Sequence, residues 1–102
     1  MIKETTILMG SADMVKIYDS VDHFFTENEL DVWRAEQLQL FTDAGFDITD
    51  STKQQVALSE DGTKVIVTVA YTDQAEKDSV LANAPGVAPV GLVEEISEDH
   101  LF

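Results

Sequence analysis

The sequence predicts an α+β fold: a single domain with a four-stranded antiparallel sheet and its helices on one face. Three observations predict it. A β-branched run opens the chain, with Ile2, Thr5, Thr6 and Ile7. Apolar residues then recur at helical spacing, as Met14, Ile17, Val21 and Phe24. Later the chain alternates, with Val65, Val67 and Val69 on one side and Ile66, Thr68 and Ala70 on the other. At 102 residues and 44% hydrophobic, the chain has the size and apolar content of one folded domain spanning 1–102.

Residues 2–9 read as the first strand, punctuated by Gly10 and Ser11. Ser11 is a candidate N-cap and Asp13 suits the positive end of a helix dipole, so a helix is expected over 12–25. Thr26 and Glu29 have the spacing of a capping box and predict a second helix after a bend, with one continuous helix as the alternative. Its expected apolar stripe is Leu30, Trp33, Leu38 and Phe41, ended by Gly45. Phe46, Ile48, Val56 and Leu58 have strand character, and Glu60, Asp61 and Gly62 make a turn. The strand over 63–72 is apolar on both sides near its middle and is expected at the centre of the sheet. Asp73 caps a short helix over 74–83 that Pro85 and Gly86 close off. Val87, Val90, Leu92, Val93 and Ile96 supply the fourth strand, with Pro89 marking an edge or an irregular arm, and residues 97–102 form an acidic tail. The resulting βαββαβ order is the split βαβ, or ferredoxin-like, pattern, with the first helix intact or broken in two. That topology is shared by enzymes, ligand sensors, RNA-binding modules and scaffolds, so it carries no function by itself.

Charge is the strongest compositional signal. Six basic residues stand against twenty acidic ones, a net charge of −14. Such a chain repels nucleic-acid backbones and anionic membranes, which are bound by clustered Lys and Arg. Glu29, Glu36 and Asp43 recur every seven residues and are expected in line on the solvent flank of the second helix. Asp22, Asp47 and Asp50 widen that surface, and Glu94, Glu95, Glu98 and Asp99 form a second acidic patch. Exposed helix faces are commonly charged for solubility alone. The sharper reading is a docking surface for a basic protein, such as one that handles nucleic acid, with carboxylates imitating phosphates in the manner of small viral inhibitors.

Catalytic signatures are weak. The five glycines are dispersed, without a phosphate-binding loop, and no G-x-S-x-G elbow or calcium loop occurs. With no cysteine, the chain has neither a disulfide nor a thiolate. Asp19 and His23 share a helix face, a pairing that suits a surface histidine better than a base or a metal ligand. His100 lies in the acidic tail, and Asp43, Asp47 and Asp50 around Gly45 make only a loose cation cluster. Trp33, Tyr18 and Tyr71 read as packing residues, Trp33 with an alternative role as a binding anchor.

The expected function is therefore non-enzymatic protein binding through Asp22, Glu29, Glu36, Asp43, Asp47 and Asp50, without cofactor or metal. One alternative is a structural subunit of a larger assembly, viral or other, gripping neighbours or copies of itself with Leu101 and Phe102. A second is a small-ligand sensor or enzyme using a sheet–helix cleft, which requires a concave pocket with converging polar groups. The N-terminal residues lack the apolar run of a secretory leader, and no segment has the length of a membrane span. The expected compartment is the cytoplasm, or the host's cytoplasm for a viral protein.

Overall fold

The computed structural model describes residues 1–10, 16–83 and 96–97. It is an α+β arrangement of three helices and a three-stranded antiparallel sheet. The strands are β1 (Ile2–Met9), β2 (Gln54–Leu58) and β3 (Lys64–Tyr71); the helices are α1 (Val21–Glu27), α2 (Asp31–Asp43) and α3 (Gln74–Asn83). A two-residue segment, β4 (Ile96–Ser97), pairs with Thr5 and Thr6 on the outer side of β1, which gives the order β2-β3-β1-β4. Among the described residues the expected fourth full strand is thus corrected to a two-residue segment, and residues 87–95, where the rest of it was expected, lie outside those described.

The period-2 pattern fixes the sheet. Centrally placed β3 pairs with β1 from Ile2↔Tyr71 to Met9↔Lys64 and with β2 from Gln54↔Val69 to Leu58↔Val65. In this register one face carries the rows Glu4–Val69–Gln54, Thr6–Val67–Val56 and Leu8–Val65–Leu58. The opposite face carries Thr5 and Thr68, both fully buried, with their hydroxyls 2.9 Å apart. Burying hydroxyls is tolerable only when they are hydrogen-bonded, and this cross-strand pair meets that need. The β2–β3 hairpin closes through Gly62 at φ 73, a conformation that favours glycine. Asp61 accepts from Ser59 and Thr63 in the same turn, which holds its carboxyl well below the usual carboxylate range.

Three expectations change, two for helices and one for a strand. The helix expected over 12–25 begins only at Val21, where the Ser20 hydroxyl accepts from the His23 N–H. Just upstream, the Tyr18 N–H donates to the Gly62 carbonyl at 2.8 Å, so the chain there is tied to the hairpin turn and not to a helical ladder. Ile17 is exposed accordingly, and Ser11, Asp13 and Met14 lie outside the described residues. The second change concerns Thr26 and Glu29, which form no N-terminal capping box. Leu30 N–H donates to Phe25 O and Glu29 N–H to Thr26 O, the paired bonds of a Schellman motif that ends α1. Glu29 occupies the left-handed position of that motif at φ 57, so the region is two helices and Glu29 precedes the second. The third change is that Phe46 and Ile48 sit in the turns before β2 and not in a strand. Phe46 is nevertheless 2% exposed, because Gly45 ends α2 in a second Schellman motif that turns the ring inward onto Phe41 and Tyr71.

The short helix behaves as its sequence predicts. Asp73 accepts from the Glu76 N–H at 2.8 Å, and the Glu76 carboxylate accepts from the Thr72 N–H at 2.8 Å. Two free amides at the helix start are thereby satisfied.

A candidate ligand cleft between helix and sheet

The core is split in two. One cluster joins Leu8, Tyr18, Phe24, Phe25, Leu30 and Val65. The other joins Phe41, Phe46, Val69, Tyr71 and Val80. Val67 is half-buried and packs against both. Helix α2 spans the two clusters, touching α1 and α3, and of its thirteen residues only Phe41 is buried. Beneath it lies a cleft of about 470 Å³.

The sequence of α2 explains the gap. Leu30 and Phe41 are buried and Trp33, Gln37 and Leu40 half-buried, so these residues form the face turned to the sheet, with exposed Arg34 at its margin. Gln37 is the polar residue in the middle of this face. A carboxamide cannot pack against valines as a leucine would without losing hydration. The helix is pinned at its ends and held off at its centre.

The cleft has an apolar floor of Val56, Val67 and Val69, with aromatic walls from Phe25, Trp33, Phe41 and Tyr71. Trp33 stacks on Phe25 with ring centroids 6.4 Å apart. Polar groups ring this surface. Glu4 is paired with Lys77 at 3.0 Å, and Arg34 reaches Asp22 at 2.7 Å while lying 4.5 Å from the Phe25 ring centre. The side chains of Thr6, Gln37 and Gln54 also line the cleft and make no hydrogen bond among the described residues. Tyr71 is 1% exposed, and burial, reinforced by Glu4 and Glu76, pushes its phenol up to about 12.

The acidic residues singled out from the sequence are arranged less simply than their spacing suggested. Glu36 and Asp43 are exposed on α2, away from the stripe that faces the sheet. Glu29 is exposed just before the helix, so the expected line of three on one helix is corrected to two and a loop residue. Asp22 belongs to the ion pair with Arg34. Asp43 accepts from Gln39 at 2.7 Å. Asp47 and Asp50 fold back onto Thr49 and Thr52, and these hydrogen bonds lower both carboxyls. Glu29 and Glu36 have no ion-pair partner among the described residues. His23 uses Nδ1 to accept the Asp19 N–H at the start of α1. Leu101, Phe102, His100 and the 85–91 arm lie outside the described residues, as do Glu94, Glu95, Glu98 and Asp99.

Among the described residues, no group of three or more Asp, Glu or His side chains is placed to hold a metal ion. No described helix is long and apolar enough to cross a membrane. No family model, curated protein or solved structure matches the chain.

Sequence reasoning named the cleft only as a requirement. The signal that locates it was the polar Gln37 among Leu30, Trp33, Leu40 and Phe41. Of the stripe expected from the sequence, Leu30, Trp33 and Phe41 do pack against the core, and Leu38 departs from it. Leu38 is 41% exposed, which places it off the inward face.

Proposed function

We propose that this domain is a non-enzymatic binding module whose cleft takes a small, uncharged, largely apolar molecule. The observation that carries the reading is the apolar cleft itself, floored by valines and walled by aromatic rings, with half-buried Gln37 of α2 set among its apolar neighbours. Polar residues at positions that should pack a core are costly, and a ligand that fills the gap and bonds to them offsets that cost. The volume of about 470 Å³ lies within the range of small-molecule sites. Aromatic and aliphatic walls favour a flat apolar body, while Thr6, Gln37 and Gln54 offer neutral hydrogen bonds. A net charge of −14 disfavours an anion, and Glu4 and Arg34 are already paired. The strand order β2-β3-β1-β4, antiparallel throughout, supports the ferredoxin-like topology with Ile96–Ser97 as its fourth position.

A neutral, polarity-sensitive dye such as N-phenyl-1-naphthylamine tests the cleft. Saturable dye emission is expected, with a change in the fluorescence of Trp33, the chain's one tryptophan. Val67→Phe adds a ring where the floor is open and is expected to weaken the dye about tenfold, equivalent to ~1.4 kcal/mol, with the circular dichroism unchanged. Absence of saturable binding, or equal binding by the folded variant, rejects the cleft as the site.

Glu29 favours a second reading, docking of a basic partner on the outer side of α2. A left-handed residue at a helix end is normally glycine, and a β-carbon there costs about 1 kcal/mol. A glutamate at φ 57 therefore holds an exposed carboxylate at an energetic disadvantage. Exchange of Glu29 and Glu36 for Gln and of Asp43 for Asn preserves size and removes charge. On this reading, capture of basic proteins is lost in the triple variant and weakens with salt. Capture that persists in the triple variant removes this surface from consideration.

A further inference from the structure

We infer that the outer edge of β2 pairs with the β2 edge of a second copy of this chain, forming a weak antiparallel dimer centred on Val56. This inference is independent of what the cleft binds.

The hydrogen-bond parity of β2 identifies the available groups. Lys53 O accepts from Ala70 N–H and Ser59 N–H donates to Lys64 O, so residues 53, 55, 57 and 59 direct their backbone groups toward β3. Gln54, Val56 and Leu58 direct theirs outward, along the end strand of the sheet. The Gln54 N–H is taken by Asp50 O at 3.1 Å. The remaining outward groups of Val56 and Leu58 have no partner among the described residues. An edge of this kind templates strand pairing unless a charge, a proline or a bulge blocks it, and Gln54–Leu58 contains no charge and no proline.

The charge pattern selects the occupant and the register. Residues 51–59 contain Lys53 and no carboxylate, whereas the chain as a whole carries −14. Carboxylates flank this window at Asp50 and Glu60 but none lies on the strand itself, so another acidic copy meets less repulsion along the strand than over the rest of the acidic surface. A two-fold axis at Val56 sets each Val56 against the other copy's Val56 and each Leu58 against the other's Gln54. Val56 then exchanges two hydrogen bonds across the axis, and each Leu58 N–H donates to the other copy's Gln54 O. The same register sets Lys53 opposite the other copy's Ser59 and beside its Glu60, once on each side of the axis. A centre at Gln54 would need the amide that Asp50 already holds, and a centre at Leu58 would separate Lys53 from Glu60. The Val56 side chains would meet on the face that floors the cleft, so the two clefts would lie side by side.

So short an edge buries less than the roughly 1,200 Å² of standard interfaces, so the dimer is expected to be concentration-dependent. Sedimentation equilibrium of the full chain tests it with two kinds of variant. Val56→Pro removes an outward donor and leaves the ladder to β3 intact, and is expected to sediment as a folded monomer. Lys53→Glu is expected to weaken association about fivefold, the effect of two exposed ion pairs and added repulsion. The double exchange K53E/E60K keeps the net charge at −14 and is expected to restore wild-type association. A wild-type chain that stays monomeric at its solubility limit overturns the inference. So does undiminished association in Val56→Pro, or a double exchange that associates no better than Lys53→Glu.

Discussion

Phe24→Ala is expected to destabilise the domain by about 3–5 kcal/mol, a large fraction of the ~5–15 kcal/mol that holds a typical domain together. Phe24 is 0% exposed and lies edge-on to Tyr18 and Phe25, with centroids 4.9 and 5.7 Å away. Its cluster joins α1 to Leu8 on β1 and Val65 on β3. Val67 is the half-buried residue shared by the two clusters, and removing a ring from so closely packed a site leaves a void whose cost adds to the lost burial. Thermal melting should show a midpoint more than about 10 °C lower. Val32→Ala, at a position 71% exposed on α2, serves as the control and should shift stability by no more than ~0.5 kcal/mol. A Phe24→Ala melt close to wild type would mean that α1 is not anchored by this ring.

The second large effect is alkaline. The Tyr71 phenol titrates at about 12 in the fold, against an ordinary value of 10.0. Burial is the main cause, and the negative charges of Glu4 and Glu76 add to it. The fold therefore favours the neutral phenol over the phenolate. The associated stability is complete below pH 10 and is lost as pH rises through about 12, because the unfolded chain ionises first. Tyr71→Phe has no such proton to lose. Denaturant titrations of both proteins from pH 8 to pH 12 should show wild type losing stability relative to Tyr71→Phe across this window. Both proteins keep the same ion pairs, Lys77–Glu4 among them, so their response to pH cancels in the comparison. A constant difference between the two curves would contradict a buried neutral phenol at this position.

The elements legible in the sequence are those whose signals are local. Alternation along residues 64–71 and β-branching at the N-terminus depend on a few neighbours, and both strands appear where they were read. Gly62 at a hairpin turn and Asp73 at a helix start are legible for the same reason: one residue supplies the geometry or the acceptor. Ser11 was the cap expected from the sequence, whereas α1 is capped by Ser20, just after a bond from Tyr18 to Gly62 that is distant in sequence. Thr26 and Glu29 have the spacing of a helix beginning, yet they end a helix. The bonds from Leu30 and Glu29 back to α1 are made by backbone atoms, which carry no residue-specific pattern.

By itself the sequence determined the charge excess, the α+β class, the central strand and the hairpin, because composition and short-range periodicity act within a few residues of chain. The structure decided that the break between the two helices falls at Glu29, that Asp22 is engaged by Arg34, and that the core opens beneath α2. The physical reason is that a helix face acquires its meaning only from what it is laid against. Gln37 is an ordinary surface residue until Leu30 and Phe41 dock on either side of it and leave it half-buried beside a floor of valines.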